Sequence, residues 1–267
     1  MPAEFPPPVP PPSSFAPPPG GRPAPVGGRT VGAGRGSGWW SDGWTLFRGA
    51  PGMWIAILAV YVLIVVGLSA IPWLGQIASA LLAPVLAGGV MVGCRDLDRG
   101  QPLRVAHLFS CFDDRLVPLL VASAIYLACW LVLCMLAASL VFGVAGMGAG
   151  LALLAGDPSA LDASAVAGLG LGALVVLLLV TLVSIPLMMA FWFVPALVAL
   201  RRDEPVAAMK ASFSGSLANV LPLLVYSLIG LVLAIAASIP LGLGWLVLGP
   251  VFGGSVYAGY RDIFEPA

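Results

Sequence analysis

Apolar residues run along this chain in long unbroken stretches, and the short segments between them hold nearly all the charge. Such runs show neither the alternation of a half-buried strand nor the one-sided stripe of a helix on a soluble core. At 1.5 Å per residue each is long enough to cross about 30 Å of hydrocarbon. They fall at roughly 53–73, 77–94, 116–142, 166–194, 219–238 and 243–260, and none contains Asp, Glu, Lys, Arg or His. The pattern predicts an all-α, polytopic membrane protein with six transmembrane helices. The fourth run stays apolar to Leu200, with Pro186 and Pro195 expected to kink it.

What lies outside the runs falls into two kinds. Residues 1–38 carry Pro in blocks (Pro6 to Pro8, Pro10 to Pro12, Pro17 to Pro19) and have no apolar segment. They predict a disordered tail, partly polyproline II, ahead of a membrane domain over 39–264. Such a tail suits a protein partner with an aromatic groove. It lacks the apolar core of a secretory signal. The other kind is amphipathic. Trp40, Trp44 and Phe47 share one helical face before the first span. Val105, Leu108, Phe109, Phe112 and Leu116 do so before the third, and Val206, Met209, Phe213 and Leu217 before the fifth. These stretches predict three helices lying flat in the interface, docked mainly by Phe47, Phe109 and Phe213.

Charge decides orientation. The net charge is +0, from 12 basic and 12 acidic residues. Arg22, Arg29, Arg35 and Arg48 precede the first span, and Arg95, Arg99, Arg104 and Arg115 follow the second. Arg201, Arg202 and Lys210 follow the fourth, and Arg261 ends the sixth. Six spans therefore put every basic residue on one side, which the positive-inside rule makes cytoplasmic, with both termini there. With 60% hydrophobic and 9% charged residues, lipid is the solvent for most of the surface. Basic residues that are almost all Arg, beside abundant Ala, Gly and Pro, point to a bacterial inner membrane. Cys94, Cys111, Cys129 and Cys134 form no C-x-x-C pair, so neither a disulfide framework nor a zinc site is expected.

The chain also repeats itself. Pro84-Val85-Leu86-Ala87-Gly88-Gly89-Val90 matches Pro250-Val251-Phe252-Gly253-Gly254-Ser255-Val256, and Arg95-Asp96 and Arg261-Asp262 follow at the same distance. Ile71-Pro72 precedes the first and Ile239-Pro240 the second. Phe109-Ser110 with Pro118-Leu119-Leu120-Val121 matches Phe213-Ser214 with Pro222-Leu223-Leu224-Val225. The matches imply three parallel repeats, each an amphipathic helix followed by a helical hairpin. With the segment Phe193 to Val198 running into Pro205 and Ser212-Phe213, these motifs resemble a family of six-span bacterial inner-membrane proteins. That family is distantly similar to the membrane domain fused to some glycerophosphodiester phosphodiesterases. The resemblance spans about residues 38–264. It implies a fold and a location but no catalytic residue, since the phosphodiesterase domain is separate.

Candidate chemistry is sparse. Arg95, Asp96, Arg261 and Asp262 are expected to anchor span ends at lipid headgroups. Gly89, Gly93, Ser255 and Gly259 form small-xxx-small pairs expected to pack helices within the molecule. The Gly168-x-Gly170-x-Gly172 run follows no strand, so helix contact explains it better than a nucleotide. His107 with Ser110, Cys111, Asp113 and Asp114 reads as the wet face of an interfacial helix. Thr181, Ser184 and Tyr226 are candidates to line a cavity. No cofactor and no nucleic acid are implied, membrane lipids are the expected partners, and the oligomeric state is left open. The pattern favours a non-enzymatic interaction, scaffolding or lipid-organising module. A transporter or channel for neutral or amphipathic solutes comes second, because the spans carry no ionisable group of the kind that marks coupled ion paths. An enzyme comes last. Reporter fusions at Gly38 and after Ala267 are expected in the cytoplasm and one at Asp157 in the opposite compartment; an external C-terminus contradicts the six-span topology.

Overall fold

The structure, a computed structural model, describes residues 28–154 and 158–265. It is helical, with no strand among the described residues. Helix α1 (Arg35–Gly49) leads through Ala50 into the hairpin α2 (Pro51–Ser69) and α3 (Leu74–Asp98). A 3-10 turn (Val105–Phe109) precedes the long hairpin α4 (Leu116–Leu154) and α5 (Pro158–Phe191). A short turn α6 (Val194–Ala196) and a π-turn (Leu197–Arg201) lead to α7 (Pro205–Ala218), and the chain ends in α8 (Val220–Ser238) and α9 (Trp245–Phe264).

Five segments are long and apolar enough to cross a membrane: Pro51–Ser69, Leu74–Asp98, Leu116–Gly143, Gly172–Arg201 and Val220–Ser238. The sixth apolar run of the sequence is α9, whose 20 residues include Gly253, Gly254, Ser255, Tyr257 and Tyr260. Burial explains that composition. Gly254, Ser255, Tyr257 and Tyr260 are all covered by protein, so α9 turns small and hydroxylated residues inward, away from lipid.

Two boundaries differ from expectation. Helices α4 and α5 run well past the apolar stretches, so much of 143–165, expected as a connection, is helical. Ala and Leu there favour helix, and Pro158 can open α5 because its missing N–H is not needed at that end. Asp157 lies outside the described residues. Near its end, α5 stops at Phe191 instead of continuing to Leu200. Pro195 opens the next turn, and the π-turn ends at Arg202 with φ 60°.

The three elements at the charged end sit on the hairpins in a cyclic order. The 3-10 turn packs on α2 and α3, α7 packs on α4 and α5, and α1 packs on α8 and α9. Two of these seats depend on glycine. A Cβ on Gly89 would meet the carbonyl oxygens of Leu108 and, at 2.5 Å, His107. A Cβ on Gly43 would meet Val251 O and, at 2.7 Å, Ser255 N, and one on Gly36 would strike Pro222 O. In the third seat a hydroxyl does the joining. Ser212 Oγ donates to Met189 O at 2.7 Å and accepts the Phe193 N–H at 3.0 Å.

Only one of the three elements is the amphipathic helix expected with its apolar face outward. Helix α7 leaves Val206, Phe213 and Leu217 exposed and buries Ala208, Ala211, Ser212, Gly215 and Ser216. Helix α1 does not lie at the surface. Trp39, Trp40 and Phe47 are buried, and of the expected face only Trp44 stays exposed. The Trp40 ring stacks on Tyr226 at 4.8 Å, and its indole N–H donates to Tyr226 O at 3.0 Å. The second element is a 3-10 turn, tightened by the Arg104 N–H donating to His107 Nδ1 at 3.0 Å. It buries Leu108 and leaves Phe109 and Phe112 outward.

Residues 28–34, which the sequence pattern groups with the tail, are bound to the membrane domain. The Arg29 N–H donates to Ile263 O at 2.8 Å and the Val31 N–H to Asn219 Oδ1 at 2.8 Å. Asn219 Nδ2 returns a bond to Arg29 O at 2.9 Å. The Pro-rich blocks, and the partner expected for them, lie outside the described residues.

Gly43→Ala is expected to lower the melting temperature in detergent, since forcing a methyl against helix backbone costs about 1–3 kcal/mol. Gly52→Ala, with nothing within 4 Å of its Cβ, is the control. It should be neutral or stabilising, because Ala otherwise favours helix by up to about 1 kcal/mol. Equal effects of the two contradict the close seat of α1.

Candidate functional site

A cavity of about 480 Å³ lies between the hairpins. Its wall comes from α2 (Trp54, Ile57, Tyr61), α3 (Ala83 to Met91), α4 (Tyr126), α5 (Met188, Phe191), the turn after it (Trp192) and α9 (Gly249 to Val256). No charged residue contributes. Toward the charged end the neighbouring Phe193, Val194, Leu197 and Ala258 are each at most 1% exposed. The two exposed wall residues are Met188 and Phe252, which marks the opening between the second and third hairpins. There α5 and α8 touch at most marginally, and a second cavity of about 300 Å³ shares Met188 and Trp192 with the first.

The residues singled out from sequence as cavity lining are elsewhere. Thr181 Oγ1 donates to Leu177 O at 2.7 Å and Ser184 Oγ to Thr181 O at 3.1 Å. Both hydroxyls satisfy their own helix and line neither cavity. Tyr226 is buried between α1 and α9, its hydroxyl 2.8 Å from Ser255 Oγ. The polar side chains that do line the central cavity include Tyr126, one of the hydroxyl residues the sequence offers in its spans, and Tyr61 and Trp192, which the sequence pattern does not single out. Only the meeting of separate hairpins brings them together.

The charged end is an intramolecular network. Asp262 accepts from Arg35 Nε at 2.5 Å and from the Trp39 indole N–H at 2.9 Å, and its backbone oxygen accepts from Arg29. Arg35 also reaches Asp42 at 2.8 Å. Arg261 pairs with Asp98 at 2.8 Å and approaches Asp42 at 3.7 Å, while Tyr257 donates to Asp98 at 3.1 Å. Residues of α1, α3 and α9 are thereby tied at one place. The matched Arg-Asp pairs thus do different work. Arg261 and Asp262 turn to separate partners, whereas Arg95 and Asp96 stay beside each other at 3.8 Å. A second knot holds the second hairpin. Arg115 donates to Asp113, Ser110 O and Ala199 O, and Arg202 pairs with Asp114. The Arg115 hydrogen bonds hold the Asp113 carboxyl below the usual range.

The small residues lie mostly against α1 and the 3-10 turn segment. Gly89 and Gly93 lie under the 3-10 turn segment, with Leu103 and His107 over Gly93. Ser255 lies under Gly43, and Gly259 faces Trp39 and Phe193. Of the glycine run, Gly168, Gly170 and Gly172 all fall inside α5. His107 Nε2 lies 3.3 Å from Asp96, which with the Arg104 contact uses both ring nitrogens locally. Cys94 and Cys111 are buried, Cys129 and Cys134 are exposed, and all four thiols are free. Among the described residues no cluster of His, Cys, Asp or Glu could hold a metal ion.

The apolar helices and the charge-free interior define an integral membrane protein that crosses the bilayer several times. No family model matches the chain, and no solved structure matches it. It is similar to a probable inner membrane protein of Burkholderia thailandensis, 29% identical over 234 residues, which cover 85% of this chain and 82% of that protein. The chain is accordingly a multi-pass protein of the inner membrane.

Asp262→Ala removes the acceptor shared by Arg35 and Trp39. Trypsin should then cut faster after Arg29 and Arg35, while Asp114→Ala, at the exposed Arg202 pair, should leave those sites protected. Unchanged cleavage in Asp262→Ala contradicts the role of this network in holding α1.

Proposed function

We propose that this chain is a six-span, lipid-organising module of the inner membrane without catalytic activity, its termini in the cytoplasm. The observation that carries the reading is the contrast between the two ends of the bundle. The charged end is a packed layer of aromatic side chains and ion pairs. Away from it the surface is apolar and open: Leu63, Trp73, Met135, Phe142, Leu182 and Leu241 are each at least 66% exposed. In a bilayer such surface is covered by lipid chains. A lipid caught between spaced hairpins meets protein on more than one side.

On this reading α9 is the sixth span and the three units are parallel repeats. Two local matches support that. Trp73 and Leu241, each following an Ile-Pro, share the rare positive φ of 62° and 53°. Gly89 and Ser255, at matched positions, each lie beneath the backbone of a cytoplasmic element. The outward Phe109, Phe112, Val206, Phe213 and Leu217 would enter the headgroup region. There Arg48, Arg99 and Arg104 meet anionic lipid, each contributing about 1 kcal/mol. The likeness to the phosphodiesterase-linked membrane domain is then one of architecture alone.

The cavity favours a second reading, a transporter for neutral or amphipathic solutes. Spin-labelled phospholipid in reconstituted membranes separates the two. A lipid-organising protein should immobilise more lipid per chain than the outer perimeter of six helices accounts for, and should pass no solute in liposome flux assays. A perimeter-sized shell together with solute flux would reverse the order of the readings.

A further inference from the structure

We propose that the two joined cavities form a binding site for one neutral diacyl lipid of the diacylglycerol type, which enters sideways from the bilayer between α5 and α8. The site rests on the lipid-organising reading and gives it a ligand.

The chemistry of the wall selects the class. The part of α3 that lines the central cavity lies four to twelve residues from Arg95, roughly 6–18 Å into the bilayer at 1.5 Å per residue. A phosphate or ammonium there would be stripped of water with no counter-charge, since neither cavity has a charged residue in its wall. The wall is not plain hydrocarbon either. Tyr61, Tyr126 and Trp192 line it, and their hydroxyls and indole N–H make no hydrogen bond among the described residues, whereas the Trp54 indole N–H is taken by Leu46 O at 3.1 Å. Donors left open at bilayer depth are costly, and in hydrocarbon only a ligand oxygen can relieve them. Ester carbonyls and a free hydroxyl supply such oxygens without charge.

The shape selects two chains. About 480 Å³ on one side of Trp192 and about 300 Å³ on the other give two compartments that share Met188 and Trp192. Both volumes fall in the range of small-molecule sites. The Trp192 ring stands edge-on to Tyr226 at 6.2 Å and Phe252 at 6.1 Å, fixed as a post around which the two chains of one glycerol can divide. The second compartment has an open donor of its own, the Ser227 hydroxyl, which makes no hydrogen bond among the described residues. Its wall residues Met188 and Leu224 are 55% and 52% exposed, so it is continuous with the lipid-facing surface. This is also where hairpin contact is weakest, and entry needs no helix to separate.

The test uses the full chain in nanodiscs and a diacylglycerol carrying a diazirine in one acyl chain. Light should label the 83–91 and 249–256 segments. Unlabelled dioleoylglycerol should compete, and phosphatidylglycerol should not. Ala87→Trp, which fills the central compartment, should abolish that labelling, while Leu178→Trp on the lipid-facing side of α5 leaves it intact. The double change Tyr61→Phe and Tyr126→Phe keeps the shape and removes two donors. It should weaken competition by dioleoylglycerol about fivefold or more. It decides the question alone if Ala87→Trp fails to fold. Equal competition by phosphatidylglycerol overturns the neutral class, and full labelling in a folded Ala87→Trp protein overturns the site. Immobilised phospholipid in excess of the perimeter shell without labelling of these segments also overturns the site and leaves the wider reading standing.

Discussion

The close approach of α1 to α8 and α9 joins the two ends of the chain. The first and second hairpins are linked by the segment that packs on α3, and the second and third by α7. Nothing covalent closes the circle between the third and the first. Helix α1 does so, because Gly36 and Gly43 leave room for the backbones of α8 and α9 to come within contact of its own. Trp39 and Trp40 then fill the space beside the glycines, and Asp262 collects Arg35 and the Trp39 indole N–H over the end of α9. Dispersion across the glycine seat is short-ranged and supplies most of the contact. The ion pairs fix its direction. Without that seat the cavity would lose the relation between its α2, α3 and α9 walls.

The same arrangement explains why the two halves of the bundle differ. At the charged end three crossing elements lie over the hairpins, and Trp39 and Trp40 of α1 pack on Tyr226 of α8, so the helices there are tied on several sides. No crossing element reaches the other half. There the apolar side chains are exposed, and in a bilayer lipid chains would cover them. The cavity lies at the junction of these regimes, walled by packed helices and open where α5 and α8 part.

Much of this was legible in the sequence, for a physical reason. Lipid tolerates no charge, so the spans and the clustered basic residues appear at once as composition. The outward face of α7 also followed from its spacing. The burial of α1 did not. Its Trp residues read equally well as an interfacial anchor, and the meaning of Gly36 and Gly43 depends on backbone contributed by Pro222, Val251 and Ser255, some 180 to 210 residues away. Helix α9 ran the other way: its hydroxyls and glycines dilute the apolar signal because protein covers them. The cavity was invisible for a similar reason. Thr181 and Ser184 looked polar enough to line it but bond to their own helix, while Tyr61, Tyr126 and Trp192, which do line it, come from separate segments that only the fold brings together.

Hydrogen exchange of the protein in nanodiscs tests the seating of α1 most directly. Amides of 38–49 should exchange as slowly as those of 254–262, because both belong to one packed unit that opens only when the bundle does. In Gly43→Ala both segments should speed up together, while the α4 amides of 120–135 stay protected. Exchange of 38–49 much faster than that of 254–262 in the unaltered protein would mean that α1 floats at the interface, and would contradict the account.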